Sequence, residues 1–182
     1  DPRTFDIVGT YKFRDASVLA HMNTLTYNPD TNLLYTTNAM VDGHRITTID
    51  ADTMSIGNTI TIPERVFNLA YDKKTNQFIS IVPINATMRR INYYTSQFQL
   101  IKSKDIDANH DDFNNNGAFA NDGNIIFATL STVVTVDKTG QVAKISSFSK
   151  NLEIEDMDMR NHMMYAAVNR GHTVAIYSML NY

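Results

Sequence analysis

One phrase returns four times along this chain: a polar lead-in, a short apolar strand carrying an aromatic residue or Met, a turn, and a second strand. The copies are Leu25-Thr-Tyr-Asn-Pro-Asp-Thr-Asn-Leu-Leu-Tyr35, Leu69-Ala-Tyr-Asp-Lys-Lys-Thr-Asn-Gln-Phe-Ile79, Gly117-Ala-Phe-Ala-Asn-Asp-Gly-Asn-Ile-Ile-Phe127 and Met157-Asp-Met-Arg-Asn-His-Met-Met-Tyr165. A repeat of roughly 40 to 48 residues built from short strands is the sequence mark of a propeller blade. The reading is therefore all-β, with four blades of four strands and almost no helix.

Runs rich in Val, Ile, Thr, Tyr and Phe alternate with Asn, Asp, Gly and Pro clusters, which divides the chain into blades at about 14–62, 63–106, 107–148 and 149–182. The first blade predicts strands at 23–28, 33–38, 44–50 and 56–62. The fourth repeat ends without an outer strand. Residues 5–13, however, contain Asp6-Ile-Val-Gly-Thr-Tyr-Lys-Phe13, which has the look of the outer-strand segments Ile56-Gly-Asn-Thr-Ile-Thr-Ile62 and Leu100-Ile-Lys-Ser-Lys-Asp-Ile106. Pairing that segment with the last blade would close the ring as a single propeller domain over 1–182. The alternative is that the chain is a fragment of a larger propeller. It opens at Asp1 without Met, as either a processed chain or an excised piece would.

Composition narrows the function classes. Hydrophobic residues make up 43% and charged residues 19%, which suits a folded domain, and no apolar run is long enough to cross a bilayer as a helix. The net charge of −3, with Lys and Arg scattered, carries no footprint for nucleic acid or for membrane insertion. Without cysteine there is no disulfide frame, thiolate zinc site or cysteine nucleophile. No Gly-x-Ser-x-Gly elbow supports acyl transfer, and the histidines are separated by whole hairpins rather than set at zinc-ligand spacing.

The first blade's Leu25-Thr-Tyr-Asn-Pro-Asp-Thr-Asn-Leu-Leu-Tyr-Thr-Thr-Asn38, followed by Ile49-Asp-Ala-Asp-Thr53 and Asn58-Thr-Ile-Thr-Ile-Pro63, resembles the YVTN-type propeller repeat and its NHL-like relatives. The second blade keeps the skeleton in Tyr71-Asp-Lys-Lys-Thr-Asn76 but has Ser80-Ile-Val82 in place of the Thr-Asn ending. Blades three and four keep the aromatic or Met positions and little else. The likeness spans the chain as pattern and about its first third as motif. It implies a bacterial or archaeal propeller, extracellular or at the cell surface, used as a binding platform, and it carries no catalytic residue across.

Loops leading into the innermost strands share one face of a propeller, which makes that face the expected binding side. Projecting the repeats places His21 and Asn23 at the first blade's lead-in, Arg65 and Asn68 at the second, Asn115 at the third, and Glu153, Glu155 and Asp156 at the fourth. Amides, an imidazole and carboxylates so arranged suit a polar ligand. The expected function is a non-catalytic module for a glycan, a wall polymer or a protein partner. The competing reading is a metal-assisted hydrolase or lactonase, with calcium held at the channel mouth by Glu155, Asn115 and Asn23; otherwise no cofactor is expected.

Three other features have plainer readings. The stretch from Asp105 to Gly117 begins like a calcium loop, with Asp105, Asp107 and Asn109, but has His110 and Asn116 where an EF-hand needs Gly and Glu. It is read as a long solvated connection. Strand alternation sends Arg89 and Arg90 to opposite faces, so with Tyr93 and Tyr94 they make no RNA platform. The cluster Met157, Met159, Met163 and Met164 is expected to fill gaps between blades, with about half of it buried.

Overall fold

Side-chain oxygens at the start of the turns and left-handed residues at their ends break the chain into hairpins. In the computed structural model, Asn28 accepts the Asp30 amide at 2.9 Å, Asp72 accepts the Lys74 amide at 3.0 Å, and the loops close on Asn32 and Asn76 at φ 55° and 52°. Asn reaches this left-handed region at little cost, which is why the two turns share their final residue. Further along each blade, Asp50, Thr95 and Asp137 accept amides of the following turn. The residues described are 4, 9–13, 19, 22, 24–38, 43–108, 117–121, 123–148, 152–160, 163–171 and 173–180.

Four antiparallel sheets result, arranged as the blades of a β-propeller, with no helix among the described residues. Blade 1 holds β1 (Leu25–Asn28), β2 (Leu33–Thr37), β3 (Arg45–Asp50) and β4 (Ile56–Thr61). Blade 2 holds β5 (Ala70–Asp72), β6 (Gln77–Pro83), β7 (Met88–Tyr94) and β8 (Leu100–Asp107). Blade 3 holds β9 (Ala118–Asn121), β10 (Asn124–Thr129), β11 (Thr132–Val136) and β12 (Val142–Ser147). Blade 4 holds β13 (Glu153–Arg160), β14 (Met163–Arg170) and β15 (Thr173–Leu180), each pairing only with its neighbour in sequence.

The fourth sheet thus shows three strands among the described residues. Of the segment expected to supply the fourth, residues 5–8 lie outside the described residues, and residues 9–13 carry no strand. Near the axis, the Leu25 amide of β1 donates to the Asp156 carboxylate of β13 and so links blades 1 and 4.

Three hydrophobic clusters sit between consecutive blades. Tyr35, Leu69, Phe78 and Phe98 fill the space between blades 1 and 2. Ile81, Ile91, Phe127 and Val134 fill that between blades 2 and 3. Phe119, Ile154, Met157 and Met164 fill that between blades 3 and 4. Two of the four methionines singled out in the sequence, Met157 and Met164, are buried there, and Met159 packs against them. Arg89 and Arg90 do part to opposite faces. Arg89 is fully buried, its Nη1 donating to the carbonyls of Asn85, Ala86 and Met88, whereas exposed Arg90 grips Asp105 with Nε and Nη2 at 2.7 and 2.9 Å. Asp105 is therefore held by a cation, and the rest of the calcium-like stretch from residue 109 to 116 lies outside the described residues.

Candidate functional site

Small residues bring the innermost strands together. Ala70 and Ala118 are buried at the axis, and the Gly117 amide donates to the Glu155 carbonyl at 3.1 Å. A Cβ at Gly117 would overlap the carboxylate and backbone of Asp156, so only glycine allows blades 3 and 4 to approach this closely. The innermost strands of all four blades, with the two outer strands of blade 4, line an open cavity of about 530 Å³. Leu25, Thr26 and Tyr27 wall it from blade 1, Ala70, Tyr71 and Lys73 from blade 2, and Ala118, Phe119 and Ala120 from blade 3. Blade 4 contributes Asp156, Met157, Asp158 and Met159 with Tyr165, Ala167 and Ile176.

A β-bulge sets the chemistry of that fourth wall. The pairing of β13 with β14 shifts between Ile154 and Asp156, leaving Glu155 as the extra residue. On the side toward blade 3, β13 consequently presents Ile154, then Met157 and Met159, a spacing of three and then two. Unbroken alternation would have put Ile154, Asp156 and Asp158 on one face. The bulge reverses the parity, so both aspartates share a face with their cross-strand partners Ala167 and Tyr165, while Met157 and Met159 border the cavity from the face toward blade 3.

Burial pushes the Asp156 carboxyl up to about 7, with the Asp158 charge adding to the rise, while the amides of Met157, at 2.9 Å, and Leu25 pull the other way. Burial also raises Asp158, against the Met159 amide at 2.7 Å, although much of its surface faces solvent. Across the cavity, burial pushes the Tyr71 hydroxyl up to about 12, helped by its bond to Asp30 at 2.8 Å. Tyr71 is thus a neutral donor tied into the turns of blades 1 and 2. Among the described residues, no group of three His, Asp or Glu side chains is placed to hold a metal ion.

His21, Asn23 and Asn115 lie outside the described residues. Arg65 is exposed, with its guanidinium over the Phe67 ring at 4.8 Å. Asn68 is fully buried, and its Oδ1 accepts the Ile81 amide at 2.9 Å, which ties the lead-in of β5 to β6. Glu153 is half-buried at the start of β13, and Glu155 stands exposed on the bulge. None of these four lines the cavity. Asp156, which the repeat projection places at the fourth blade's lead-in, does, and so does Asp158, which the sequence did not single out; the spacing of Ile154, Met157 and Met159 was the available sign of the bulge that gives them one face.

No family model and no curated protein matches the chain. Solved structures do. The Kuenenia stuttgartiensis hydrazine synthase aligns over 96% of this chain and 49% of its own, at 13% identity and a TM-score of 0.57. The WD40 repeats of RRP9 align over 87% of this chain and 51% of their own, at 12% identity and a TM-score of 0.57. Myxococcus xanthus glutaminyl cyclase aligns over 86% of this chain and 72% of its own, at 12% identity and a TM-score of 0.61. The chain spans about half the length of the first two. At these identities the likeness shows the fold alone, and that fold is the β-propeller.

Proposed function

We propose that this propeller is a non-catalytic binding module that receives part of a protein partner in the cavity at its axis. The observation that carries the proposal is the cavity itself: about 530 Å³, walled by all four blades, mostly apolar, with a few convergent polar groups. Its similarity to the WD40 repeats of RRP9 adds support, and its similarity to glutaminyl cyclase keeps catalysis open as the rival. A protein segment suits the walls better than a glycan or a wall polymer. Leu25, Tyr27 and Ile176 are 46, 47 and 58% exposed at the cavity, and such large apolar surfaces gain most from apolar side chains. An extracellular or cell-surface setting rests on the sequence resemblance.

Arrays of immobilised peptides, glycans and purified wall polymers test the reading against a cavity-filling variant. Ala167 lines the cavity from the middle of β14, so Ala167→Trp should block it while leaving the strand pairing intact. The expected result is binding of a subset of peptides, weakened at least tenfold by Ala167→Trp. Binding to glycans or polymers alone, or peptide binding indifferent to the variant, would sink it. The hydrolase reading predicts an ion retained at close to one per chain through purification, which metal analysis before and after chelation would reveal.

A further inference from the structure

Among the described residues, neither carboxylate of the cavity is paired with a cation. Asp156 and Asp158 leave β13 on the same side, ~7 Å apart along the strand at the usual rise per residue. Among the described residues no Lys, Arg or His pairs with either, and the charge that bears on Asp156 is that of Asp158. Their bonds are to backbone amides, those of Met157, Leu25 and Met159. Tyr27 from β1 and Tyr165 from β14 stand in the same walls, so rings and carboxylates face one space.

We propose that the cavity holds the guanidinium of an arginine side chain presented by the partner, contacted by Asp156 and Asp158 and flanked by Tyr27 and Tyr165. The assignment rests on the reading of the propeller as a protein-binding module. A guanidinium carries five donors in one plane, so it can bond two separated carboxylates while its faces lie against aromatic rings. It is also weakly hydrated, which lowers the cost of bringing it into a partly enclosed space. A lysine ammonium is a compact, strongly hydrated point charge and reaches two such carboxylates less well. A neutral sugar would leave both carboxylates without a counter-ion. Calcium takes six or more oxygens, and the described walls bring two carboxylates. Lys73 stands exposed on the blade 2 side of the cavity, and its charge opposes a bound cation.

Titration of the intact, isotopically labelled chain with N-acetyl-arginine amide, followed by amide chemical shifts, tests the assignment. The control ligand is N-acetyl-citrulline amide, which has the same shape and no charge. Arginine amide should give saturable shifts at residues 156–159 and 165–167, with citrulline amide at least tenfold weaker. Asp158→Asn should weaken arginine binding at least fivefold; its side chain can still accept the Met159 amide, and the same spectra report its fold. Lys73→Gln should tighten binding about twofold. The titratable groups in the walls are Asp156, Asp158, Tyr27, Tyr71, Tyr165 and Lys73. Since Asp156 takes up its proton near pH 7, affinity should fall between pH 8 and pH 6. No saturable shifts with arginine amide, equal binding of citrulline amide, or indifference to Asp158→Asn would overturn the assignment. If peptides then still bind and Ala167→Trp still blocks them, the binding-module reading survives; if Ala167→Trp changes nothing, both fall.

Discussion

The space between blades 1 and 2 and the face that blade 4 turns toward blade 1 are built from the same kind of strand, yet one is filled and the other lies open. In the first, the Tyr35 and Phe78 rings meet at 4.6 Å, Phe98 stacks on Phe78 at 4.4 Å, and Tyr71 tilts against Phe78 at 5.1 Å. In the second, Val174 is 73% and Ile176 58% exposed, and a polar contact from Leu25 to Asp156 bridges the blades. Strand alternation makes a blade in both places. What differs is how the rings meet: in the filled space they arrive from three hairpins at once and pack on one another, whereas Tyr27 and Tyr165 stand in the walls of the open cavity.

The sharpest way to break this contrast is to remove the ring at its centre. Phe78 is fully buried and touches three other rings, so Phe78→Ala should cost about 3–5 kcal/mol of unfolding free energy, read from urea melts. A cost under about 1 kcal/mol would mean the aromatic cluster does not hold blades 1 and 2 together.

A smaller effect is expected where blade 4 meets the axis. The folded-state value of Asp156, about 7, lies above the ordinary 3.8, so the folded chain holds this proton more tightly than the unfolded one. Stability from this group is full below pH 3.8, declines as pH rises through that window, and is lost above about 7. Asp156→Asn should remove the decline, an effect on the order of 2 kcal/mol between pH 4 and pH 8 in a cavity open to solvent. Parallel pH profiles for the two proteins would contradict this picture of Asp156.

The smallest change belongs to the open face. Ile176→Ser should alter stability by no more than about 0.5 kcal/mol, since little packing is lost there. A loss of about 2 kcal/mol in the same melts would show that the face is covered in solution.

Much of the fold was legible in the sequence because its cues are local. The first-blade strands expected at 33–38, 44–50 and 56–62 stand at Leu33–Thr37, Arg45–Asp50 and Ile56–Thr61, each within a residue or two. Asn28 and Asp72 at the start of the turns, with Asn32 and Asn76 at their ends, act within five residues, so a linear reading captures them. The candidate site was less legible. Asn68 is expected on the binding face because it is polar and leads into a strand; what a linear reading cannot supply is that its oxygen accepts the Ile81 amide, thirteen positions away. Glu155 and Asp156 look alike in sequence, and the bulge leaves Glu155 as the extra residue while Asp156 lies opposite Ala167.

The amino-acid order alone determined that this protein would be built of short antiparallel hairpins in four copies, because turn chemistry and two-residue alternation act between near neighbours. Only the tertiary structure decided which side chains share the axis. Gly117 admits Asp156 from thirty-nine positions away, the Leu25 amide reaches it from blade 1, and the β13 bulge sets its parity. The reason is physical: a cavity is bounded by strands that meet only when the blades pack, and a one-residue shift within a strand exchanges its two faces.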